Sequence, residues 1–338
     1  MTRVLHPPPR RPSRRTVCLL AVTVFTAVLA ACAGSGPQVD PALFAPVSTT
    51  TAPPPATPAP APVACGDPTA SSRPQGPLPP PGQMPPGSFM DAIRSRGRLV
   101  VGVAPDILLF GYVNPSTGHI EGFDVDMLKQ VAEAIFGGTD DTIDAHISYV
   151  AITNPQRLSK IEDGSLDVVA DTMTINCARR RLVDFSSVYY QAGQRILVST
   201  DSPAQRIAAL AGKRVCAAAG STSIDNLAAQ APAVVRVGLP DNTDCLVAFQ
   251  QGQVDAISTD DAILAGLAAQ DPYARIVGPR FTQEPYGMAI SLTHPDLTRF
   301  VNGVLDHIRA DGTWTRIYDR WLTSLGPAPP PPVATYRD

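Results

Sequence analysis

The chain has 338 residues, with 27 Lys+Arg against 30 Asp+Glu and a formal net charge of -3. This balance leaves no basic face dense enough for the phosphate backbone of a nucleic acid, so we expect no nucleic-acid partner. Residues 88–326, between two proline-rich ends, exceed a typical domain of about 100 to 200 residues, which favours two lobes or one large α/β unit.

The first 32 residues have the pattern of an export signal. Basic residues precede the apolar run VCLLAVTVFTAVLAAC, which is too short to span a bilayer because about 20 apolar residues are needed. The run ends in LAAC, which resembles the lipobox of bacterial lipoproteins and makes Cys32 the lipidated first residue of the mature chain. The alternative is an ordinary signal peptide cleaved before Gly34. The lipobox predicts a lipid-anchored protein at the extracytoplasmic face of the cell membrane.

Proline dominates two segments outside the expected folded region. Residues 33–87 include runs such as TTTAPPPATPAPAP and GPLPPPGQMPP, and residues 327–338 form a second proline-rich end. Such segments favour extended polyproline II conformations and bury little apolar surface. We therefore expect a disordered tether and a disordered tail.

Strand-like and helical segments alternate between these ends. The run GFDVDMLKQVAEAIFGG places Val125, Leu128, Val131, Ala132 and Ile135 at helical spacing, and Gly137-Gly138 ends it. A second series of strands and helices begins at RILVS, after Gly193. Alternation of this kind predicts open α/β sheets, in which ligands lie outside the carboxyl ends of the strands.

Several motifs together resemble those of the extracellular solute-binding proteins of polar amino-acid ABC importers. They are RLVVGV, GFDVDMLKQVA, LDVVADTMTI, RRxxVDFS, YYQAGQ, LAGKRV, GSTS, CLVAFQQGQVDAISTDDAIL and DGTWTRIYDRWL. The resemblance implies a periplasmic-binding-protein-like type II α/β fold with two lobes joined by a two-strand hinge. Lobe 1 would comprise 88–193 and 287–326, lobe 2 would comprise 194–286, and the crossings would be RILVS and PYGMAIS.

The same resemblance implies an amino-acid ligand that is trapped when the lobes close, with no cofactor and no metal. The expected partner is an ABC permease or a membrane sensor that reads the closed form, and the expected state is a monomer. An enzyme such as a lyase or dehydratase on this fold is the other alternative. No GxSxG or metal-binding motif supports it.

Arginine in ARRRL is the expected partner of the ligand α-carboxylate, because its planar fork can donate two parallel hydrogen bonds. Arg179 matches the family arginine, which follows Thr-Pro-Glu in many members. Here Asn176-Cys177-Ala178 precede it, so Arg180 stays open as an alternative. A solvated cluster at the strand end is the non-functional interpretation.

Asp260 in STDDAIL matches the family aspartate that accepts the ligand ammonium, although Thr259 or Asp260 could instead cap the following helix. Asp261 would then face away or support the helix dipole. Thr172 and Thr174 follow a strand, where the family motif contacts the ligand; β-branched residues also suit a strand.

The GSTS segment lies between a strand and a helix, where backbone N–H groups and hydroxyls suit an anion. Its candidate residues are Gly220, Ser221 and Thr222, and a plain helix cap would look the same. Arg157 in TNPQRL takes the place of an arginine near the side chain in aspartate- and glutamate-binding relatives. It therefore predicts an acidic ligand, unless it is a solvent-facing helix residue. Phe110 and Tyr112 are candidates to stack on the ligand, or packing residues.

Four cysteines remain after Cys18 leaves with the signal and Cys32 takes lipid, an even number in an exported chain. Because the resemblance puts Cys216 and Cys245 in lobe 2, we expect that pair to form one disulfide and Cys65 and Cys177 to form the other. Buried unpaired thiols are the alternative.

Overall fold

The computed structural model describes residues 65–338. The predicted signal sequence over 1–32, the lipid on Cys32 and the tether over 33–64 lie outside the described residues. Within the described range, no helix is both long enough and apolar enough to cross a membrane.

The described chain consists of short strands interleaved with helices. The strands, in chain order, are β1 Leu99–Val103, β2 Asp106–Ile107, β3 Gly111–Val113, β4 Ile120–Glu121, β5 Ile147–Ala151, β6 Val168–Val169, β7 Val183–Phe185, β8 Tyr190–Ala192, β9 Gln194–Ser199, β10 Arg214–Ala218, β11 Val235–Leu239, β12 Ala256–Asp260, β13 Ala274–Val277, β14 Glu284–Tyr286 and β15 Ala289–Ser291. The α-helices are α1 Phe89–Arg96, α2 Phe123–Phe136, α3 Asp140–Ile143, α4 Gln156–Glu162, α5 Thr222–Gln230, α6 Asn242–Gln250, α7 Asp261–Ala268, α8 Pro295–Ala310 and α9 Thr313–Trp321.

Lobe 1 is built on a five-stranded sheet with the order β5-β1-β6-β15-β7. Strand β1 pairs in parallel with β5 and β6, and β15 runs antiparallel to β6 and β7. Helix α2 packs on β1. The helix ends at Gly137, as its sequence predicts, and its predicted apolar face is buried: Val125, Leu128, Val131, Ala132 and Ile135. This apolar stripe provides much of the core of lobe 1.

Lobe 2 is built on a second five-stranded sheet with the order β11-β10-β12-β9-β13. Strand β10 is parallel to β11 and β12, whereas β9 is antiparallel to β12 and β13. Helix α5 follows β10, and α7 follows β12 directly. The carboxyl ends of β10 and β12 therefore lead straight into helix N-termini on one edge of the sheet, where polar groups collect.

Two strand segments connect the lobes. Strands β8 and β14 pair antiparallel, with Tyr190 opposite Tyr286 and Ala192 opposite Glu284. Two α/β lobes joined by two strands confirm the predicted architecture, but the first crossing was misplaced. RILVS belongs to β9 because it pairs along its length with β12 and β13 inside lobe 2. The chain crosses just before it, at Tyr190–Ala192.

The two proline-rich ends are ordered where the structure describes them, which corrects the prediction of disorder for 65–87 and 327–338. Ser71 forms a parallel bridge with Tyr336, and Asn302 donates hydrogen bonds to Ser71 Oγ and Ser72 O. Leu78 packs on the core of lobe 1. Proline removes a backbone donor but keeps its carbonyl acceptor, so such segments can be held by donors elsewhere in the chain.

The predicted disulfide pairing is confirmed. Cys65 is bonded to Cys177 across a sequence separation of 112 residues, which fixes the N-terminal segment to lobe 1. Cys216 is bonded to Cys245 and ties β10 to α6 within lobe 2.

Candidate functional site

A polar cleft lies between the lobes, and its cavity volume of about 10 Å³ leaves room for about one water molecule. Both lobes contribute to its lining, which consists of Asn154, Arg157, Thr172, Thr174, Arg179, Ser221, Thr222, Ser223, Asn242, Thr259, Asp260 and Ile263. Most of the predicted ligand-binding residues are therefore brought together. The cleft is closed in this structure, since groups from one lobe reach groups of the other.

Arg179 reaches the cleft from a short 3₁₀ turn, Arg179–Arg181, in lobe 1. Its Nη1 donates to Thr174 O at 2.6 Å, and its Nη2 donates to Gly220 O of lobe 2 at 3.3 Å. Burial, with the Arg157 charge as the second cause, lowers the pKa of Arg179 to about 9. Arg180 turns away to pair with Asp184 at 3.1 Å. Between these two arginines, the cleft position therefore belongs to Arg179.

Arg157 is a buried residue of α4 and does not face solvent. Its Nη1 donates to Asp171 O at 3.0 Å, and its Nη2 donates to Gly220 O at 3.4 Å. Burial lowers its pKa, while Asp171 opposes that shift. Two guanidinium groups of lobe 1 thus converge on one carbonyl oxygen of lobe 2. They form an electropositive corner suited to an anion.

Asp260 ends β12 and precedes α7, but its side chain does not cap that helix. Its Oδ2 accepts a hydrogen bond from Tyr286 Oη at 2.7 Å, and its buried Oδ1 has no partner within residues 65–338. Burial, and next the Glu284 charge, raise its pKa well above the ordinary value. Asp261 faces away and pairs with Arg280 at 2.6 Å. The Asp260 carboxylate therefore has an oxygen available to an incoming donor.

The start of α5 closes the cleft from lobe 2. Ser221 caps the helix, because its Oγ accepts from Ile224 N, and it also donates to Ala218 O. A Cβ on Gly220, whose φ is +72°, would lie 3.2 Å from Pro155 Cα of lobe 1. Glycine at this position therefore permits the close approach of the two lobes.

Thr172 and Thr174 present polar groups from the loop after β6. Thr172 has a φ of 42°, unusual for a β-branched residue, and its N–H donates to Asp124 Oδ2 at 2.7 Å. Thr174 Oγ1 donates to Glu284 Oε2 at 2.7 Å. The strained conformation at Thr172 is held by a buried carboxylate, as is common at binding sites.

Glu284 is a buried residue that sequence analysis missed. It lies on the crossing strand β14 and accepts hydrogen bonds from Thr174 of lobe 1 and from Thr222 and Asn226 of lobe 2. The signal in the sequence was its position, because Glu284 directly precedes the predicted crossing strand PYGMAIS. Glutamate is rarely buried without partners, so a glutamate at such a position indicates a polar network. Glu284 connects the crossing strand with both lobes.

Asn242 is a second missed residue, at the start of α6. It is buried, and its Oδ1 has no partner within the described chain. Such an acceptor costs free energy unless a donor satisfies it. No sequence motif distinguishes this asparagine from an ordinary helix-start residue.

Of the two interpretations of Phe110 and Tyr112, ligand stacking or packing, the contacts in the structure are those of packing residues. Phe110 is fully buried in an aromatic cluster behind the cleft, with ring centroids 5.2 Å from Tyr190 and 5.6 Å from Phe123. Tyr112 donates to Glu121 and packs near Trp321. Neither residue is part of the cleft lining: Phe110, in the loop between β2 and β3, and Tyr112, on β3, both pack against other aromatic rings.

Two buried cations and buried carboxylates meet at the cleft. Among residues 65–338, no group of three side chains could hold a metal ion. A small zwitterion matches this charge pattern once the lobes open: its carboxylate would meet an arginine, and its ammonium would meet Asp260 Oδ1. The geometry suits recognition by charge-assisted hydrogen bonds.

The chain is similar to several known proteins. The chain is 36% identical over 232 residues to the ABC transporter glutamine-binding protein GlnH of Bacillus subtilis, covering 68% of this chain and 83% of that protein. It is 32% identical over 241 residues to the glutamate-binding protein GluB of Corynebacterium glutamicum, covering 68% and 79%.

A solved structure of an ancestral amino acid-binding protein, AncCDT-1, described as a precursor of cyclohexadienyl dehydratase, is similar with a TM-score of 0.62. It is 30% identical, with coverage of 69% of this chain and 99% of that one. Residues 99–324 match the family model described as bacterial extracellular solute-binding proteins, family 3. The chain belongs to the bacterial extracellular solute-binding proteins, family 3.

Proposed function

We propose that this protein captures aspartate or glutamate between its lobes, with asparagine and glutamine bound more weakly, and presents the ligand to an ABC importer. It acts at the extracytoplasmic face of the membrane, anchored by lipid on Cys32. One observation carries the proposal: a buried arginine fork and a buried carboxylate with an oxygen that lacks a partner within residues 65–338 occur in one cleft.

The α-amino and α-carboxylate groups of the ligand are assigned to Asp260 and Arg179. Arg179 now donates to two carbonyl oxygens, which a carboxylate can replace as a stronger acceptor. Micromolar binding needs about -8 kcal/mol. Three or four charge-assisted hydrogen bonds at roughly 1.5 to 3 kcal/mol each reach that value after ordering costs.

Arg157 is assigned to the side-chain carboxylate of the ligand. It is a second buried cation in the same cleft, and the relative from Corynebacterium glutamicum is named a glutamate-binding protein. The relative from Bacillus subtilis is named a glutamine-binding protein. The charge of the ligand side chain is therefore the property that the experiment must resolve.

The test is calorimetric titration of the oxidised protein with aspartate, glutamate, asparagine, glutamine, arginine and histidine. We expect micromolar or tighter binding of the two acidic amino acids. In Arg157→Gln, their affinity should fall by about ten- to a hundredfold, since one charged hydrogen bond is lost. Glutamine affinity should fall less, because only the bridge from Arg157 to Gly220 O is lost in that case.

Lys160→Gln is the matched control, because Lys160 lies on the same helix outside the cleft lining. It should bind like the parent. Equal or tighter binding of glutamine by the parent protein would reject the acidic preference. If none of the six amino acids binds detectably, the proposed class of ligand is rejected.

A further inference from the structure

The turn that carries Arg179 is attached to the N-terminal segment on both sides of that residue. We name residues 65–73 the arm. Two residues before Arg179, Cys177 is covalently bonded to Cys65 of the arm. One residue after it, Arg180 donates to Pro68 O of the arm and to Asp184.

The arm is itself held firmly on lobe 1. Ser71 is fully buried, and its Oγ donates to Phe185 O at 2.6 Å. The C-terminal tail covers it: Arg337 N donates to Ser71 O at 3.0 Å, and Arg337 Nη2 reaches Asp184 at 3.2 Å. The arm is therefore a fixed support, because buried backbone and side-chain groups bind it at several points.

The Arg179 turn has little regular structure of its own. It is a three-residue 3₁₀ turn, stabilised locally by Asn176, which accepts from Arg179 N at 2.9 Å and from Arg180 N at 3.0 Å. The three residues before Arg179 are Asn176, Cys177 and Ala178, so no proline restricts the turn there. The disulfide and the hydrogen bond to the arm can restrict the backbone of this turn instead.

We infer that the Cys65–Cys177 disulfide and Arg180 are positioning residues, which hold Arg179 in the geometry that receives a ligand carboxylate. The arm is then part of the binding apparatus as well as the end of a spacer. This inference rests on the proposed function only for the role of Arg179. Without the attachment, the turn samples orientations that cannot bind, and the apparent affinity falls with the fraction of competent molecules.

The first experiment measures hydrogen exchange in the full chain with both cysteines replaced, Cys65→Ser with Cys177→Ser. Amides of residues 176–182 should exchange faster than in the parent, whereas amides of β10 and β12 in lobe 2 should be unchanged. Unchanged exchange in 176–182 would overturn the inference. This readout needs no ligand, so it decides the positioning role even if the proposed function fails.

The second experiment is a double-mutant cycle with aspartate and glutamate as probes. The cysteine double variant should bind about tenfold more weakly than the parent if about a tenth of the molecules stay competent. In an Arg179→Lys background, which lacks the fork, the same cysteine replacement should cost little, because interacting residues are not additive. Equal losses in both backgrounds would show that the disulfide acts elsewhere.

A second variant covers the case in which the cysteine variant does not fold. Arg180→Ala removes the hydrogen bond to Pro68, while Arg337 still pairs with Asp184. Arg180→Ala should weaken aspartate and glutamate binding when introduced into the parent protein, but not when introduced into Arg179→Lys. Arg299→Ala is the matched control: Arg299 also binds an arm carbonyl, Arg73 O, and a carboxylate, Asp338, but lies away from the turn. A loss in Arg299→Ala as large as that in Arg180→Ala would overturn the inference.

Discussion

At the residue scale, three consecutive arginines occupy three different environments. Arg179 lies in the cleft, Arg180 binds the arm and Asp184, and Arg181 is exposed. A 3₁₀ turn has about three residues per turn, so neighbouring side chains point in different directions. The charge of the cluster is therefore divided between the cleft, the internal structure of lobe 1 and solvent.

Replacing Arg179 by alanine tests the principal contact. Arg179→Ala should cost about 2 to 5 kcal/mol of binding free energy, because the ligand carboxylate would be buried without a partner. Calorimetry with aspartate and glutamate measures this loss. Arg181→Ala, which removes an exposed charge from the same turn, should bind like the parent. Binding by Arg179→Ala within threefold of the parent would reject the assignment.

At the element scale, helix α6 of lobe 2 is bound by strand β2 of lobe 1. Asp106 Oδ2 accepts from Thr243 N at 3.2 Å and from Thr243 Oγ1 at 2.7 Å. The carboxylate lies at the positive end of the helix dipole, where an anion is favoured. This contact joins the lobes at one edge of the cleft and belongs to the closed arrangement.

Removing the Thr243 hydroxyl should therefore speed ligand release. Thr243→Val should raise the dissociation rate by about fivefold, equivalent to roughly 1 kcal/mol for one hydrogen bond, and leave the association rate nearly unchanged. Stopped-flow fluorescence measures both rates. The control is Thr139→Val, because the contacts of Thr139 stay within lobe 1. An unchanged release rate in Thr243→Val would show that this contact does not hold the lobes together.

At the scale of the whole molecule, the closed arrangement buries a carboxylate oxygen, Asp260 Oδ1, that has no partner within residues 65–338. The pKa of Asp260 is raised in the closed arrangement. Protonated Asp260 therefore favours closure at low pH, and this contribution is lost as the pH rises towards the raised pKa. The ordinary value is 3.8. A ligand ammonium would pair with the ionised carboxylate and favour closure at neutral pH. Ligand binding and lobe closure are thus linked through one buried group.

The ligand-free protein should open as the pH rises. We expect small-angle scattering to give a larger radius of gyration at about pH 8 than at about pH 5, because ionised Asp260 avoids burial. In Asp260→Asn the difference should shrink, since asparagine does not ionise. A radius that changes equally in both proteins would assign the opening to other groups.

The sequence alone predicted the features that depend on local pattern. Apolar spacing located α2, and alternating strands and helices indicated two α/β series. Motif resemblance selected Arg179 and Asp260 as candidates, and the structure places both in one cleft. The spacing of apolar residues in a helix or strand can be read within a few residues of one element. It is readable because the buried face of a helix or strand recurs at a fixed period.

Only the tertiary structure decided the features that depend on distant partners. Glu284 meets Thr174 and Thr222, which lie 110 and 62 residues away in sequence. The described parts of the proline-rich ends, 65–87 and 327–338, are held by the Cys65–Cys177 disulfide and by arginines of lobe 1 rather than by a periodic pattern of their own. Proline-rich sequence by itself predicts only an extended chain, because its order depends on donors that the rest of the fold supplies.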